Sequence, residues 1–353
     1  MLPLAGLHAP YPMLFAADFK EKVWGGRRLE SWFESMPPGR APIGEAWVLS
    51  AHPNGPTRIT NGRLAGRTLS ELCPEFPLLI KVLSCEADLS VQVHPPDHYS
   101  RLCAGESGKS EVWLVLEASP GASIIHGLAE GMTPELLRRA LAAALPTTVT
   151  PATSEVACRT ACAASAAESS VADIMNCFRR IPVVAGDLIP VPPGTVHALG
   201  AGLVVAEVQQ SSDTTYRLWD YGRPGIDGKP RELHVERALE VAGYSRPPAI
   251  TRPFAFELEA NTPQRMCSFA DFDIWRSVCS GLWHRSGSPD TFRAVLVLSG
   301  RGTLQWDDDG SPGSPRRRIA LRPGSCALIP ASCPDYTVQC DQGQLGLLEA
   351  TLA

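Results

Sequence analysis

The stretch "LSVQVHPPDHYS" (residues 89–100) places two polar side chains inside a run that otherwise reads as a buried strand. Side chains of a strand alternate between the two faces of a sheet, so Gln92 and His94 point to the same side. An amide or imidazole that faces a protein interior without a partner costs about 1–3 kcal/mol. These two residues therefore need a partner there, and a bound metal ion is one candidate.

Apolar runs of strand length surround this stretch. They are rich in Val, Ile and Leu and recur at close spacing between Gly and Pro residues, which is typical of an antiparallel sandwich or barrel. The runs are "EAWVLS", "FPLLIKVLS", "SEVWLVLEA", "ASIIHGL", "LIPVPP" and "GLVVAEVQQ". The 32 prolines and 30 glycines of the chain also favour many short strands and tight turns. We therefore predict a mainly β protein.

Residues 131–180 depart from this pattern and are predicted to form a helical insertion. In "MTPELLRRALAAAL", Thr133 fits the N-cap and Pro134 fits the first helical position. The later stretch "SSVADIMNCFRR" also reads as helical, and "PTTVTPATS" between them reads as a loop. Cys158 and Cys162 are spaced i, i+4 on the predicted helical segment, which could bring two thiols together.

Strand signals resume after residue 245, following the predicted closing helix in "RELHVERALEV". The runs of this second β unit are "DIWRSVCSGL", "FRAVLVLSG", "GTLQWDDDG", "RRIALRPG" and "CALIPAS". The stretches "GDLIPVPPGTVH" (residues 186–197) and "GSCALIPASCPD" (residues 324–335) share the same spacing of Gly and Pro. This indicates an internal repeat, in which Asp335 stands where the first copy has His197.

The first copy resembles the second sequence motif of the cupin barrel, in which the histidine is a metal ligand. The resemblance implies two cupin-like β-barrel or jelly-roll units with the helical insertion in the first. We expect residues 1–130 and 181–245 to form an N-terminal metal-binding cupin domain and residues 246–353 a C-terminal cupin-like β domain. No paired histidines precede the second copy, so the C-terminal domain is predicted to lack a metal.

Four side chains of the first unit form the candidate metal site. Gln92 and His94 lie on one strand and Glu111 lies on the next, while His197 arrives on a later hairpin. In a barrel these side chains can converge on one inward-facing point. Two imidazoles, a carboxylate and an amide oxygen suit Zn²⁺, and Mn²⁺, Fe²⁺ or Co²⁺ would also be tolerated. Only Glu111 offsets the charge, so bound Zn²⁺ would stay electrophilic and polarise substrate oxygens.

The composition argues against several classes of partner. With 44% apolar and 20% charged residues, a formal net charge of −5 and no apolar run of membrane-spanning length, we expect neither nucleic acid nor a membrane as partner. The segment before Lys20 is broken by prolines, unlike a signal peptide. Eleven scattered cysteines without a CxxC pair predict reduced thiols and a cytoplasmic protein. We expect a monomer or a weak homodimer.

Long stretches of the chain resemble type I mannose-6-phosphate isomerase in its shorter bacterial form. They are "IKVLSCEADLSVQVHPPDHYS", "GKSEVW" and "VVAEVQQSSDTTYRLWDYGR". The likeness extends to "EKVWGGRRL", "IGEAWVLSAHP" and "RELHVERALEV", and so covers most of residues 20–245. It implies an enzyme of carbohydrate metabolism whose substrate is a small sugar phosphate.

The resemblance also implies roles for individual residues. One Zn²⁺ per chain would be held by Gln92, His94, Glu111 and His197. Arg217 would lie at the catalytic face and Lys109 beside the metal. The family interconverts mannose 6-phosphate and fructose 6-phosphate, moving a proton between C1 and C2 through a cis-enediol intermediate.

The residue types fit this chemistry. A fixed guanidinium stabilises the negative oxygen of an enediolate, so we expect Arg217 to stabilise and orient rather than to abstract a proton. Lys109 is predicted to act as acid or base, or to bind the phosphate. Glu207 and Asp213 are further proton-transfer candidates. The structural alternative, which we favour, is that Glu207 pairs with an arginine and Asp213 caps a turn.

Two other functions fit parts of the pattern. Two histidines and a carboxylate also form the facial triad of non-haem iron oxygenases. Gln92 as a fourth ligand and the positioned Arg217 argue against that function. A non-catalytic sugar-phosphate sensor with a cupin pocket is the second alternative, and the intact set of ligands with Lys109 argues against it. His98 is expected to be a surface residue.

Overall fold

The computed structural model describes residues 11–103, 105–144, 174–252, 258–307 and 316–353. Within these ranges the chain forms 22 strands, and all strand pairs of its sheets are antiparallel. Three short α-helices lie wholly inside the described ranges: α1 Leu69–Leu72, α2 Pro134–Ala144 and α3 Val235–Val241. None of these helices has the length and apolarity needed to span a membrane. The prediction of a mainly β protein is confirmed.

The strands follow one another closely, and many of them coincide with the apolar runs of the sequence. In chain order they are β1 Met13–Ala16, β2 Asp18–Gly26, β3 Ile43–Leu49, β4 Arg58–Ile59, β5 Leu78–Cys85, β6 Val91–Val93, β7 Glu111–Ala118, β8 Ser123–Leu128, β9 Phe178–Pro182, β10 Leu188–Val191, β11 His197–Leu199, β12 Leu203–Gln210, β13 Tyr216–Trp219, β14 Gln264–Ser268, β15 Phe272–Cys279, β16 Leu282–Arg285, β17 Arg293–Ser299, β18 Gly302–Asp307, β19 Arg316–Leu321, β20 Cys326–Ile329, β21 Tyr336–Cys340 and β22 Leu345–Leu352.

The first β unit is a sandwich of two sheets. A six-stranded sheet has the order β10-β7-β12-β5-β3-β2, and a five-stranded sheet has the order β13-β6-β11-β8-β9. Alternation along β12 shows the two faces of the larger sheet. Val205 packs in the core shared with the five-stranded sheet, whereas Val204 and Ala206 pack on the opposite face. Both faces are buried, which explains why these strands are almost continuously apolar.

Helices cover the outer face of the five-stranded sheet. Leu137 and Leu141 of α2 and Leu239 of α3 join a hydrophobic cluster with Val91 and Val93 of β6. The six-stranded sheet is therefore buried inside the molecule, and the five-stranded sheet lies between it and the helices. The metal-site candidates fall between these two sheets, away from solvent.

The second β unit is also built from two sheets. A seven-stranded sheet has the order β14-β15-β22-β17-β20-β1-β4, and a four-stranded sheet has the order β16-β21-β18-β19. Strand β1 joins the first of these sheets, with Met13 opposite Leu328 of β20. An N-terminal strand thus completes the sheet of the C-terminal unit, and the domain boundaries remain a prediction. Within the described ranges, the sheets do not close into a barrel.

The helical segment between β8 and β9 agrees with the sequence at its start and differs at its end. Helix α2 begins at Pro134, and the Thr133 hydroxyl accepts a hydrogen bond from the Leu136 amide at 3.3 Å. The stretch predicted as helical up to Arg180 instead enters β9 at Phe178, which pairs with Leu128. Pairing at the sheet edge outweighs local helix preference there. Cys158 and Cys162 lie outside the described residues.

The internal repeat has a counterpart in strand pairing. In the first unit, Val191 of β10 lies opposite Glu111 of β7. In the second unit, Ile329 of β20 lies opposite Arg293 of β17. Val191 and Ile329 are each the sixth residue of their copy of the repeated motif. The two units therefore use the motif in the same register, with a carboxylate in one and a guanidinium in the other.

Candidate metal centre and active site

Strand alternation directs the candidate carboxylate into the first sandwich. On β7, Val112 and Leu114 pack in the core on one side of the six-stranded sheet, whereas Trp113 packs on the other side, toward the five-stranded sheet. Glu111 has the same parity as Trp113 and is fully buried. A carboxylate in such a position needs a cation or hydrogen-bond donors to be stable.

Three of the predicted ligands meet at this point. The Nε2 atom of His94 lies 3.4 Å from Glu111 Oε2, and the Nε2 atom of His197 lies 3.3 Å from Glu111 Oε1. One ligand atom from each residue falls within 4.8 Å of the others, and all three residues are buried. Among the residues that the structure describes, this is the one such group of three histidine, cysteine or acidic side chains. The predicted convergence of these three residues is confirmed.

Gln92 is the fourth predicted ligand and lies beside the same group. Its Nε2 atom is 3.2 Å from His197 Nε2, and the two residues face each other across the β6–β11 pair. A rotation of the amide by half a turn would present Oε1 to the same point, because the two ends of the group have nearly the same shape. The structure thus brings all four predicted residues together, and their role as ligands stays a prediction.

Backbone carbonyls orient both imidazoles. The Nδ1 atom of His94 is 2.8 Å from the carbonyl oxygen of Thr214, and that of His197 is 2.8 Å from the carbonyl oxygen of Thr195. A carbonyl only accepts, so each Nδ1 carries the hydrogen and each Nε2 has its lone pair on the side of Glu111. Metal-binding histidines are typically oriented in this way, by a hydrogen bond from the ring nitrogen that does not hold the metal.

The protonation states also suit a cation. Burial, assisted by the positive charge of Lys109, lowers the pKa of His94 from 6.5 to about 3. Burial likewise lowers the pKa of His197. Burial alone would raise the pKa of Glu111, but Lys109 and the two histidines reverse this and hold it well below 4.5. At neutral pH the site therefore offers two neutral imidazoles and one carboxylate.

Buried atoms without a hydrogen bond at the centre bear on metal binding. His94 Nε2 and Glu111 Oε1 are buried and have no hydrogen bond within the described residues, while Glu111 Oε2 meets the Lys109 ammonium at 2.8 Å. Such atoms are rare in native proteins unless an ion or water occupies the site. Nitrogen and carboxylate donors at this spacing fit a divalent transition metal. The residues present therefore fit a bound metal ion.

Lys109 contacts a residue of the centre, and Arg217 lies opposite Gln92 in the β6–β13 pair. The Lys109 ammonium is buried and lies 2.8 Å from Glu111 Oε2 as an ion pair. Arg217 donates from Nε to the Ser90 hydroxyl at 3.1 Å and from Nη1 to the Glu232 carbonyl at 2.8 Å. Burial and the neighbouring Arg231 lower the pKa of Arg217. Both residues are held in place, as a site for a charged substrate requires.

A cavity of about 150 Å³ adjoins the metal centre, and its lining includes Gln92, Lys109 and Arg217. Its charged lining residues are Lys22, Glu45, Lys81, Lys109, Glu207, Asp213, Arg217 and Arg231. Five of these side chains are cationic and three are carboxylates, but Lys109 and Arg231 also pair with Glu111 and Asp220, which lie outside the lining. Arg217 donates to neutral oxygens of Ser90 and Glu232, so its charge is available to an anionic ligand.

Sequence reasoning missed several of these residues. Lys81, Glu45, Trp47 and Arg231 line the cavity without having been singled out. For Lys81 the signal was present, because it is the single charged residue of β5, a buried strand. A charge in such a strand requires a partner, and the β5–β12 register supplies one.

The contacts of Glu207 and Asp213 differ from the structural roles that we favoured from the sequence. Glu207 lies opposite Lys81 in the β5–β12 pair, and its Oε1 is 2.9 Å from Lys81 Nζ. The partner is thus a lysine, not the expected arginine. Asp213 accepts a hydrogen bond from the Asn54 side chain at 2.6 Å and is half-exposed. His98 is exposed, as predicted.

The fold and this site define a mainly β protein with a candidate metal centre beside a cationic cavity. Residues 13–110 match the family model for the catalytic domain of type I phosphomannose isomerase. The mannose-6-phosphate isomerase of Streptococcus mutans is 34% identical to this chain over 336 residues, which cover 90% of the chain and 92% of that protein. The chain belongs to the mannose-6-phosphate isomerase family.

Solved structures show the same fold. The crystal structure of mannose 6-phosphate isomerase from Bacillus subtilis has a TM-score of 0.74 and 28% identity, covering 96% of this chain and 99% of that one. A zinc-bound mannose 6-phosphate isomerase has a TM-score of 0.63 and 16% identity, covering 98% of this chain and 100% of that one. At that identity the second likeness concerns the fold alone.

Proposed function

We propose that this protein is a metal-dependent aldose–ketose isomerase that interconverts mannose 6-phosphate and fructose 6-phosphate through a cis-enediol intermediate. The observation that carries the proposal is the buried group of His94, Glu111 and His197, which lies beside a cavity lined by charged side chains. Family membership supports the same function. Nothing in the comparisons supports an oxygenase or a non-catalytic sensor.

We assign one Zn²⁺ per chain to Gln92, His94, Glu111 and His197. When bound, the metal would supply a Lewis acid that polarises substrate oxygens. The donor set supports zinc, since two imidazoles, a carboxylate and an amide oxygen make a four-coordinate site for a borderline cation. The cupin motif at residues 186–197, in which His197 takes the ligand position, supports the same assignment.

Arg217 is assigned to stabilisation of the enediolate. Its guanidinium lines the cavity and is anchored through Ser90 and the Glu232 carbonyl, so it does not need to reorganise as charge develops. Lys109 lines the same cavity and keeps its ammonium on Glu111, which makes it the candidate acid for the substrate oxygens. Glu207 is assigned to hold Lys81 rather than to move a proton.

The cationic side chains that line the cavity, and Arg217 in particular, support a phosphorylated sugar as the substrate. A phosphate carries about two negative charges at neutral pH and forms strong bonds to ammonium and guanidinium groups. The cytoplasm is proposed as the location because the chain has many scattered cysteines. We also propose a monomer or a weak homodimer without nucleic acid or membrane partners, in keeping with the net charge of −5.

The decisive experiment measures conversion of mannose 6-phosphate to fructose 6-phosphate by the purified protein before and after chelation, with bound metal quantified. Turnover that disappears with the metal and returns with Zn²⁺ is the expected result. A tightly bound metal without turnover on this substrate would refute the proposed reaction. Arg217→Ala separates the alternatives, because an isomerase loses turnover much more than binding, whereas a sensor loses only affinity.

A further inference from the structure

Gln209 is a fully buried residue whose side chain joins two parts of the site. Its Oε1 atom accepts a hydrogen bond from Lys81 Nζ at 2.7 Å. Its Nε2 atom donates to the Ser212 carbonyl at 2.6 Å and to the Gln210 carbonyl at 2.9 Å. An amide offers one acceptor oxygen and two N–H donors, so each part of the group is used.

The acceptor side of Gln209 holds a cation in the cavity. Lys81 lines the cavity and pairs with Glu207 at 2.9 Å, and its ammonium lies 5.3 Å from the centre of the Trp47 ring. A lysine side chain has many rotamers, and each additional partner restricts where its charge lies. Gln209 therefore contributes to the position of the Lys81 charge relative to an anionic substrate.

The donor side of Gln209 holds the turn that follows β12. In this turn the Ser212 hydroxyl accepts from the Thr214 amide at 3.3 Å and donates to the Ser107 carbonyl at 3.1 Å. The Thr214 carbonyl in turn binds Nδ1 of His94 at 2.8 Å. Three hydrogen bonds, joined through the backbone of Ser212 and Thr214, thus connect the Gln209 amide to an imidazole of the metal centre.

We propose that Gln209 is a positioning residue that sets the Lys81 ammonium and the His94 imidazole at the same time. The proposal rests on the proposed function for its effect on turnover, but its effect on metal binding does not require that function. Loss of the amide leaves the Ser212 carbonyl and the Lys81 ammonium with fewer partners in a buried region. Both groups are then free to shift, and the His94 ring shifts with the turn.

Two substitutions separate the two sides of the amide. Gln209→Met has a similar length and removes both the acceptor and the donors. Gln209→Glu retains an oxygen for Lys81 but lacks the N–H donors to the turn. Both variants should bind Zn²⁺ up to about 10-fold more weakly in competition with a chromogenic chelator, the low end of the range for losing a direct partner of a metal ligand, because Gln209 acts on His94 through the turn. Gln209→Met should also raise KM, because it loses the Lys81 contact, whereas Gln209→Glu adds a second carboxylate at Lys81 and therefore tests the donor side through zinc affinity alone.

Two control variants distinguish positioning from general destabilisation. Gln305→Met makes the same chemical change on the four-stranded sheet, where Gln305 bonds to Gln339 at 3.2 Å. Ser277→Ala removes a buried hydroxyl from the C-terminal unit. Both controls should keep the zinc affinity and KM of the unchanged protein, even if Ser277→Ala unfolds at a lower temperature.

Metal affinity equal to that of the unchanged protein in folded Gln209→Met or Gln209→Glu would overturn the proposal. So would an equal loss of affinity in Ser277→Ala at a matched decrease in melting temperature. If Gln209→Met does not fold, Gln209→Glu still tests the donor side, because it has the same size and remains polar. If the unchanged, wild-type protein binds zinc but converts no mannose 6-phosphate, the proposed function is refuted. The zinc measurements on the variants remain valid in that case.

Discussion

Glu111 and Arg293 occupy equivalent positions in the two β units. Each residue opens the strand that pairs with the repeated motif, and each lies opposite the sixth residue of that motif. In the first unit the carboxylate meets two imidazoles, whereas in the second unit the guanidinium lies 3.3 Å from Glu349. A cation in the position of the carboxylate repels a metal ion, so the second unit satisfies its interior with an ion pair.

This relationship predicts the metal content of two matched variants. Glu111→Gln removes the one charged member of the candidate ligand set, so the purified protein should contain almost no zinc and should lose its turnover. Arg293→Gln changes the equivalent position of the other unit and should keep one zinc per chain. Elemental analysis of the two purified proteins checks this. Zinc retained by Glu111→Gln would contradict the assigned site.

Glu207 and Glu349 are a second pair of equivalent residues, and both are buried carboxylates. They predict that loss of stability and loss of activity can be separated. Glu207 lies opposite Trp113 and pairs with Lys81, while Glu349 lies opposite Val295 and pairs with Arg285. Breaking either buried pair should lower the free energy of unfolding by about 3–5 kcal/mol.

Only Glu207→Gln should also reduce kcat/KM for mannose 6-phosphate, because Lys81 lines the cavity. Glu349→Gln should lose a similar amount of stability and keep the kinetics of the unchanged protein. Urea unfolding and steady-state kinetics on both variants test this. Equal losses of kcat/KM in the two variants would show that Glu207 acts through stability alone.

The ion pair between Lys109 and Glu111 predicts a stability effect that depends on the metal. In metal-free protein, Lys109→Met leaves a buried carboxylate without its nearest cation and should lower the free energy of unfolding by about 3–5 kcal/mol. Added Zn²⁺ should recover most of this loss, because the metal compensates the same carboxylate.

The control for this prediction is Lys20→Met, since the Lys20–Asp18 pair is partly exposed. That variant should lose no more than about 1 kcal/mol with or without metal. Urea unfolding of the unchanged protein and of both variants, in chelator and in excess Zn²⁺, gives the loss of each variant with and without metal. A loss in Lys109→Met that Zn²⁺ does not reduce would argue against a metal on Glu111.

His126 predicts a specific acid sensitivity of the metal-free protein. Its ring is buried, its Nε2 atom lies 2.9 Å from the Pro190 carbonyl, and burial lowers its pKa from 6.5 to about 4. The unfolded chain therefore binds a proton at a higher pH than the folded chain does. Stability is lost as the pH falls from 6.5 to 4, by up to about 3 kcal/mol for this group.

His126→Gln keeps an N–H donor for the Pro190 carbonyl and does not titrate. Between pH 6.5 and pH 4, its free energy of unfolding should fall less steeply than that of the unchanged protein. His98→Gln replaces an exposed histidine and should follow the unchanged protein. Urea unfolding of the three proteins in chelator, across this pH range, gives the slopes. Parallel slopes for all three would contradict the prediction.

Much of the candidate site could be predicted because local sequence rules apply to it. The alternation in "LSVQVHP" indicates that Gln92 and His94 share a face, and the spacing of the repeated motif points to His197. The arginine expected beside Glu207 was wrong, because its partner is set by the strand register. Strand β9 was missed for a similar reason, since Phe178 is drawn into the sheet edge by pairing with Leu128.

The sequence by itself determined most of the long strands, the helix start at Pro134 and the four candidate residues of the metal centre. These features follow from alternation, capping and motif spacing, which act over a few residues. Only the tertiary structure decided that Lys81 meets Glu207 and that Gln209 links Lys81 to the turn that holds His94. It also decided that β1 completes the C-terminal sheet. These contacts join segments far apart in the chain, so they depend on the register and packing of whole sheets.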